Sequence, residues 1–211
     1  MGNRRKKPGT RCLACHMRKE LCICPEIRAC KETFKNKCKI LILMHHRERH
    51  LTTNTGRIAA LSIPNCEVHF RGLPYKTLNC AELLDAEREP LLLFPSEDAQ
   101  VLTKELLEKI KKPVTLVVPD GSWRQAYKVS KREPALANAI RVILPEGKES
   151  EYQLRREPKA GGLATFEAIA RAMGVIENIE MQEKLEKLFR LMVSRTMRSR
   201  SGRVDLPESE K

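Results

Sequence analysis

Five short apolar runs, spaced so that a helix fits between them, restrict this chain more than any other feature. They are KILILM (39–44), CEVHF (66–70), LLLF (91–94), TLVV (115–118) and RVIL (141–144). Runs of that length, apolar or β-branched and bounded by polar or turn-forming residues, read as strands. Between them the pattern predicts helices over 55–61, 81–87, 97–111 and 122–131. The third has Ser96 as its expected N-cap, with Glu97 and Asp98 in the first turn, where the helix dipole favours anions. Strands alternating with helices fold as an α/β layer structure with a mostly parallel sheet. A further helix is expected at ATFEAIARAM (164–173), closed by Gly174. A second follows it, in which Met181, Leu185, Leu188, Phe189 and Met192 recur at three- and four-residue spacing as core contacts. With 211 residues the chain supports one main domain. Its apolar runs are too short to span a bilayer.

Four of the eight cysteines crowd into RCLACHMRKELCIC, where Cys12, Cys15, Cys22 and Cys24 form C-x-x-C followed by C-x-C. Thiolates on two tight turns can converge on one tetrahedral zinc ion. His16 could replace one ligand, Cys30 and Cys38 could compete for the ion, and Cys66 and Cys80 read as ordinary thiols. The competing readings are a redox pair or thiols that merely pack. MGNRRKKPGT runs into the cluster with no apolar export segment, so a reducing, cytoplasmic compartment is expected. Residues 1–38 are therefore expected to form a basic zinc-knuckle segment that folds largely on metal binding.

Charge points the same segment towards a polyanion. The chain carries a net charge of +13, and residues 1–40 hold twelve Lys or Arg against three Glu. Neutralising phosphates releases counterions and supplies affinity without sequence preference, whereas the alternative is a solvated, solubilising surface.

Ligands of open α/β sheets bind beyond the carboxyl ends of the strands, and the polar segments here follow strands or begin helices. The only tryptophan lies in PDGSWRQAYK (119–128), which sets Asp120, Ser122, Trp123 and Gln125 at a strand end. HHRERHLTTNTGR brings Asn54, Thr55 and Arg57 to a helix start. LRREPKAGGLATFEA combines Arg155 and Arg156 with the Gly161–Gly162 turn and a helix start at Thr165, a combination suited to an anionic ligand. Neither the dinucleotide fingerprint nor the P-loop pattern occurs.

Taken in order, C-x-x-C with C-x-C, NTGR (54–57), LLLFPSEDA (91–99), PDGSW with QA (119–126) and LRREP…GGLATFEAIA (154–170) resemble the DTW-domain family over nearly the whole chain. Those proteins are tRNA-uridine aminocarboxypropyltransferases related to the SPOUT class of RNA-modifying enzymes. The resemblance implies a SPOUT-like catalytic domain over 39–205. It is also the sole ground for expecting a knot, which few folds contain. It implies that the 3-amino-3-carboxypropyl group of S-adenosylmethionine passes to N3 of a tRNA uridine, leaving methylthioadenosine.

Protonated N3 is a poor nucleophile, so Asp120 is expected as its base. It could instead orient the donor's amino group or sulfonium, or serve only as a helix N-cap. The donor pocket implied by the resemblance comprises Ser122, Trp123, Gln125, Asn54, Thr55, Arg57, Arg155, Arg156, Gly161, Gly162 and Thr165. Trp123 would stack on a base or flank the sulfonium, or else act as a core residue. Arg155 and Arg156 would take the donor carboxylate or a tRNA phosphate, and Thr165 reads as a cap. Ser122 stands where the family often has threonine. Met44-His45-His46 departs from the family's Gln-His-Pro-like opening, so these histidines read as surface or core residues. The basic first forty residues, with Arg190, Arg195, Arg198, Arg200 and Arg203, are expected to grip tRNA. Two other readings stay open: a SPOUT-type RNA methyltransferase, and a zinc-containing RNA-binding protein without activity. The target uridine, the tRNAs chosen and the oligomeric state are not legible in the sequence.

Overall fold

Six strands hydrogen-bond into one sheet, and every pairing between them is parallel. This is seen in a computed structural model, which describes residues 10–75, 77–152, 154 and 162–204. The strands are β1 (Lys39–His45), β2 (Cys66–Arg71), β3 (Glu89–Leu93), β4 (Gln100–Val101), β5 (Val114–Asp120) and β6 (Ile140–Ile143), in the spatial order β2-β1-β5-β3-β6-β4. The helices are α1 (Cys24–Thr33), α2 (Gly56–Ser62), α3 (Lys104–Lys109), α4 (Trp123–Arg132), α5 (Thr165–Ile176) and α6 (Ile179–Arg200). The α/β class with a parallel sheet is thus as the apolar runs predict. No helix among the described residues is long and apolar enough to cross a membrane.

Side chains alternate across a strand, and that alternation divides the core in two. Ile40, Ile42, Met44, Leu116 and Val118 join the larger cluster, which also takes in residues of α1, α2, α5 and α6. Leu43, Leu92 and Val117 join a smaller one with Ala126 and Val129 of α4 and Leu136. On α6, Met181, Leu185, Leu188, Phe189 and Met192 are buried, as their spacing predicts. Phe189 meets Phe166 of α5 edge to face at 5.8 Å. Burying each such ring contributes about 1.5–3 kcal/mol from lost apolar exposure alone.

Three local expectations fail. The helix expected over 97–111 is interrupted because Gln100 and Val101 pair with Val142 and Ile143 as an edge strand. The helix left, α3, is capped by the Thr103 hydroxyl, which accepts from Leu106 N, and not by Ser96. The span 81–87 holds a single 3₁₀ turn, Cys80–Leu83, capped by Asn79. Gly174 does not close α5, which runs on to Ile176. A Cβ at Gly174 would lie 2.9 Å from the Cβ of Gln182, so glycine there lets α6 approach α5 closely.

The cysteine segment is packed into the larger cluster through Cys15, Met17, Ile23 and Ile27. Arg195 of α6, only 5% exposed, fastens it. Its guanidinium donates to the Cys22 carbonyl at 2.7 Å and to the Glu26 carboxylate at 2.7 Å. The expectation that Arg195 grips a polyanion is therefore corrected: a buried guanidinium needs its partners close at hand, and here they lie within the chain.

Candidate functional site

β1 and β5 end level, with Met44 opposite Asp120, so the loops that follow them meet above the sheet. Asp120 is buried, and each of its carboxylate oxygens accepts a hydrogen bond. Asn54 Nδ2 donates to Oδ2 at 2.7 Å, and the Thr165 hydroxyl donates to Oδ1 at 2.7 Å. Asn54 is itself oriented, because its Oδ1 accepts from Arg57 N at 3.0 Å at the start of α2. Thr55 Oγ1 accepts from Phe166 N at 3.2 Å, which joins the start of α2 to the start of α5. Gly56 completes the arrangement: a Cβ there would stand 2.8 Å from Asp120 Oδ2. The NTGR stretch is thus a carboxylate holder with room for nothing larger than glycine.

Ser122 caps α4 in a capping box with Gln125: Ser122 N donates to Gln125 Oε1 at 2.8 Å, and Gln125 N to Ser122 Oγ at 3.4 Å. The N-cap role weighed for Asp120 therefore belongs to Ser122. Trp123, the first residue of α4, is half-buried, with its ring 5.8 Å from that of Phe94 beyond β3.

A cavity of about 690 Å³ opens at the carboxyl ends of β3, β5 and β6, a size within the range of small-molecule sites. Asp120, Asn54, Thr55 and Thr165 line one side, and Phe94, Ser122 and Trp123 another. The segment from Pro145 to Ser150, with Arg171, lines a third, and Gly162 also borders it. That third wall is held by Glu167, which is buried. Its carboxylate accepts from Ser150 Oγ at 2.6 Å, Glu151 N at 2.8 Å and Ala164 N at 3.0 Å. The Tyr152 hydroxyl donates to the Thr53 carbonyl at 2.6 Å, tying this wall to the first.

Of the residues expected at the pocket, Asn54, Thr55, Asp120, Ser122, Trp123, Gly162 and Thr165 come together. Gln125 and Arg57 do not line it: Gln125 closes the cap, and the Arg57 guanidinium donates to the Arg49 carbonyl. Arg155, Arg156 and Gly161 lie outside the described residues. Sequence reasoning missed Phe94, Tyr152, Arg171 and the work of Glu167. Only Glu167 left a signal, since an acidic residue three places after a helix N-cap is a capping position. His45 and His46 lie with their rings 4.6 Å apart, outside the cavity lining. Burial first, then the neighbouring His46 and Arg47, hold the His45 imidazole below its ordinary value.

The sulfurs of Cys12, Cys15, Cys22 and Cys24 all lie within 4.8 Å of one another. Cys12 and Cys24 are 3.5 Å apart, and Cys15 and Cys22 are 3.7 Å apart. Tetrahedral bonds of 2.3 Å put sulfurs about 3.8 Å apart, so the donor set and its size fit a zinc ion. Burial pushes the Cys15 and Cys24 thiols up. Cys12 is brought down to about 7, against burial, by the backbone N–H groups of Cys15 and Ala14. Ionising all four thiols in so small a space calls for a cation among them. His16 sits in the turn at φ 61° and is not part of the cluster, nor are Cys30 and Cys38.

The DTW domain family model matches residues 9–197. The chain is 32% identical over 181 residues to tRNA-uridine aminocarboxypropyltransferase 2 of Drosophila melanogaster, covering 83% of this chain and 68% of that protein. It is 26% identical over 179 residues to the protein of the same name from Macaca fascicularis, covering 82% of this chain and 59% of that one. The chain thus spans about three fifths to two thirds of the length of these relatives. A solved structure, the SAM-dependent rRNA:acp-transferase Tsr3 from Vulcanisaeta distributa, superposes with a TM-score of 0.45 at 16% identity, over 77% of this chain and 80% of that one.

Proposed function

The chain belongs to the DTW-domain family, and on that premise we propose that it transfers the 3-amino-3-carboxypropyl group of S-adenosylmethionine to N3 of a tRNA uridine. The names of its relatives support the reaction. The observation that carries it here is the carboxylate of Asp120, fixed by Asn54 and Thr165 on one side of a cavity whose other side is the Phe94–Trp123 pair. In the transfer, uridine N3 attacks the donor's γ-carbon, the carbon–sulfur bond breaks, and sulfur leaves with its electron pair as methylthioadenosine. The N3 proton must leave as the bond forms. With a donor on each oxygen, the Asp120 carboxylate is oriented to hold the cationic end of the donor in line, and because those same donors stabilise its charged form, it takes the N3 proton only in concert with the attack. The aromatic pair offers faces for adenine or uracil. Arg171 on the third wall offers the donor carboxylate a cation, alongside whatever Arg155 and Arg156 contribute.

Zinc in the four-cysteine cluster would be structural, supplying folding free energy to residues 1–38 beside a catalytic domain over 39–205. The eight unpaired thiols suit a reducing, cytoplasmic compartment. The test is incubation with unmodified tRNA and S-adenosylmethionine, followed by mass spectrometry of nucleosides and small products, with Asp120→Asn alongside. Methylthioadenosine with an aminocarboxypropyl-uridine, lost in the variant, supports the proposal. S-adenosylhomocysteine with a methylated nucleoside overturns it, as does tRNA binding without any product.

A further inference from the structure

The helix that starts at the cavity also carries a surface that the transfer chemistry leaves unused. On α4, Arg124, Tyr127, Lys128 and Lys131 are all exposed. At 3.6 residues per turn they fall within one arc of about 100°. The opposite side, through Ala126 and Val129, is buried in the smaller core cluster. The exposed arc holds three cations and no anion. Among the described residues, none of these cations makes a hydrogen bond or ion pair. Lys131 acts on Asp98 only through space, and Asp98 has its own ion-pair partner in Arg141 at 3.2 Å.

Tyr127 is 53% exposed, with its ring 6.5 Å from that of Phe94, which in turn stands 5.8 Å from Trp123. A chain of aromatic rings therefore runs from one edge of a basic surface to the wall of the cavity.

We propose that this face of α4 docks the RNA strand beside the nucleotide being modified. Arg124, Lys128 and Lys131 would contact phosphates, and Tyr127 would stack on an unpaired base. A face that merely solvates a protein mixes both signs of charge, whereas this one carries a single sign beside an exposed ring. Cations grouped beside an aromatic side chain match the chemistry of single-stranded nucleic acid, whose backbone is anionic and whose bases offer π-faces. The position adds to the case, because α4 delivers Ser122 and Trp123 to the cavity from the same ten-residue helix and its cap. The proposal rests on the transfer reading, and its test separates the two.

The probe is unmodified bulk tRNA, with affinity measured across a salt series. Donor binding is followed by calorimetry and product by mass spectrometry. The variants are the triple Arg124→Ser, Lys128→Ser, Lys131→Ser, and Tyr127→Ala with Tyr127→Phe as its control. The triple variant is expected to bind S-adenosylmethionine normally, to bind tRNA at least about tenfold more weakly, and to lose about two units of salt slope. Tyr127→Ala is expected to lose roughly tenfold in affinity with an unchanged slope, and Tyr127→Phe to restore it. Unchanged tRNA affinity and slope in the triple variant, with the wild type forming product, overturns the docking face and leaves the transfer reading standing. If the wild type makes no product while the triple variant still loses tRNA, the transfer reading fails and the face stands. Loss of binding to anionic phospholipid vesicles with tRNA affinity intact overturns the face in favour of a membrane surface.

Discussion

On one face of the sheet, Ile40, Ile42, Met44, Leu116 and Val118 share a cluster with residues of α1, α2, α5 and α6. On the other, Leu43, Leu92 and Val117 have α4 and two 3₁₀ turns for cover. The same strands make both faces, yet the two do different work. Asp120 follows Leu116 and Val118 at every second position of β5 and so turns to the thick side, where α2 and α5 begin. A buried carboxylate needs donors around it, because each unsatisfied buried polar group costs about 1–3 kcal/mol. Only a layer of several elements can bring Asn54 and Thr165 to it. The thin side cannot enclose such a network, but it leaves one helix exposed along its length and sets Phe94 and Trp123 at the cavity's edge. Precision sits under the thick layer and access over the thin one.

That division can be broken from either side. The largest effect is expected from the cysteines. Cys15→Ser, in the thick layer and in the metal cluster, should remove bound zinc, measured by elemental analysis, and lower the unfolding free energy by several kcal/mol. Cys80→Ser, equally buried on the thin side, should cost only about 1–2 kcal/mol in denaturant melts. Asp120→Asn keeps the shape and removes the charge. Turnover should fall by about 100- to 1000-fold while the melting temperature barely moves. Glu167→Ala takes the acceptor from the Ser150 hydroxyl and two backbone N–H groups, so a stability loss of about 1–3 kcal/mol is expected, with a raised KM for the donor as the third wall loosens. Trp123→Ala, on the thin side, should reduce kcat/KM by about tenfold with little change in stability.

The smallest effect concerns pH. The His45 imidazole is depressed in the folded state, by burial first and then by its charged neighbours. As pH falls below the ordinary imidazole value, the unfolded chain takes up a proton that the folded chain refuses, so stability declines as pH drops through that window. His45→Gln should flatten the decline in melts taken from pH 7.5 to 5.5.

β1 and β5 were legible because each is a dense apolar run whose burial follows from composition, whereas β2, with Glu67 and His69 in it, was legible from its β-branched and aromatic residues and buries none of them fully. The edge strand at Gln100–Val101 was not, since its conformation is decided by a partner 42 residues away at Val142 and Ile143, and Gln-Val by itself carries no such message. Gly174 looked like a helix stop for want of the knowledge that Gln182 presses on it. Asp120, Asn54 and Thr165 could be brought to one end of the sheet by the strand-end rule and into one pocket by the family resemblance, but not paired as a carboxylate and its two donors. They lie 66 and 45 residues apart in sequence, and no local periodicity links a carboxylate to donors so distant. Arg195 misled for the related reason that a basic residue near the end of a chain reads as exposed until its burial is seen.

The Arg195 contact to the Cys22 carbonyl also sets an order of events during biosynthesis. Its two residues are 173 apart. At ordinary translation speeds Cys22 is made roughly 9–35 s before the guanidinium that fastens it. Throughout that interval the four thiols can meet a metal ion but lack the guanidinium that fastens them, so metal binding can precede the final docking of this segment.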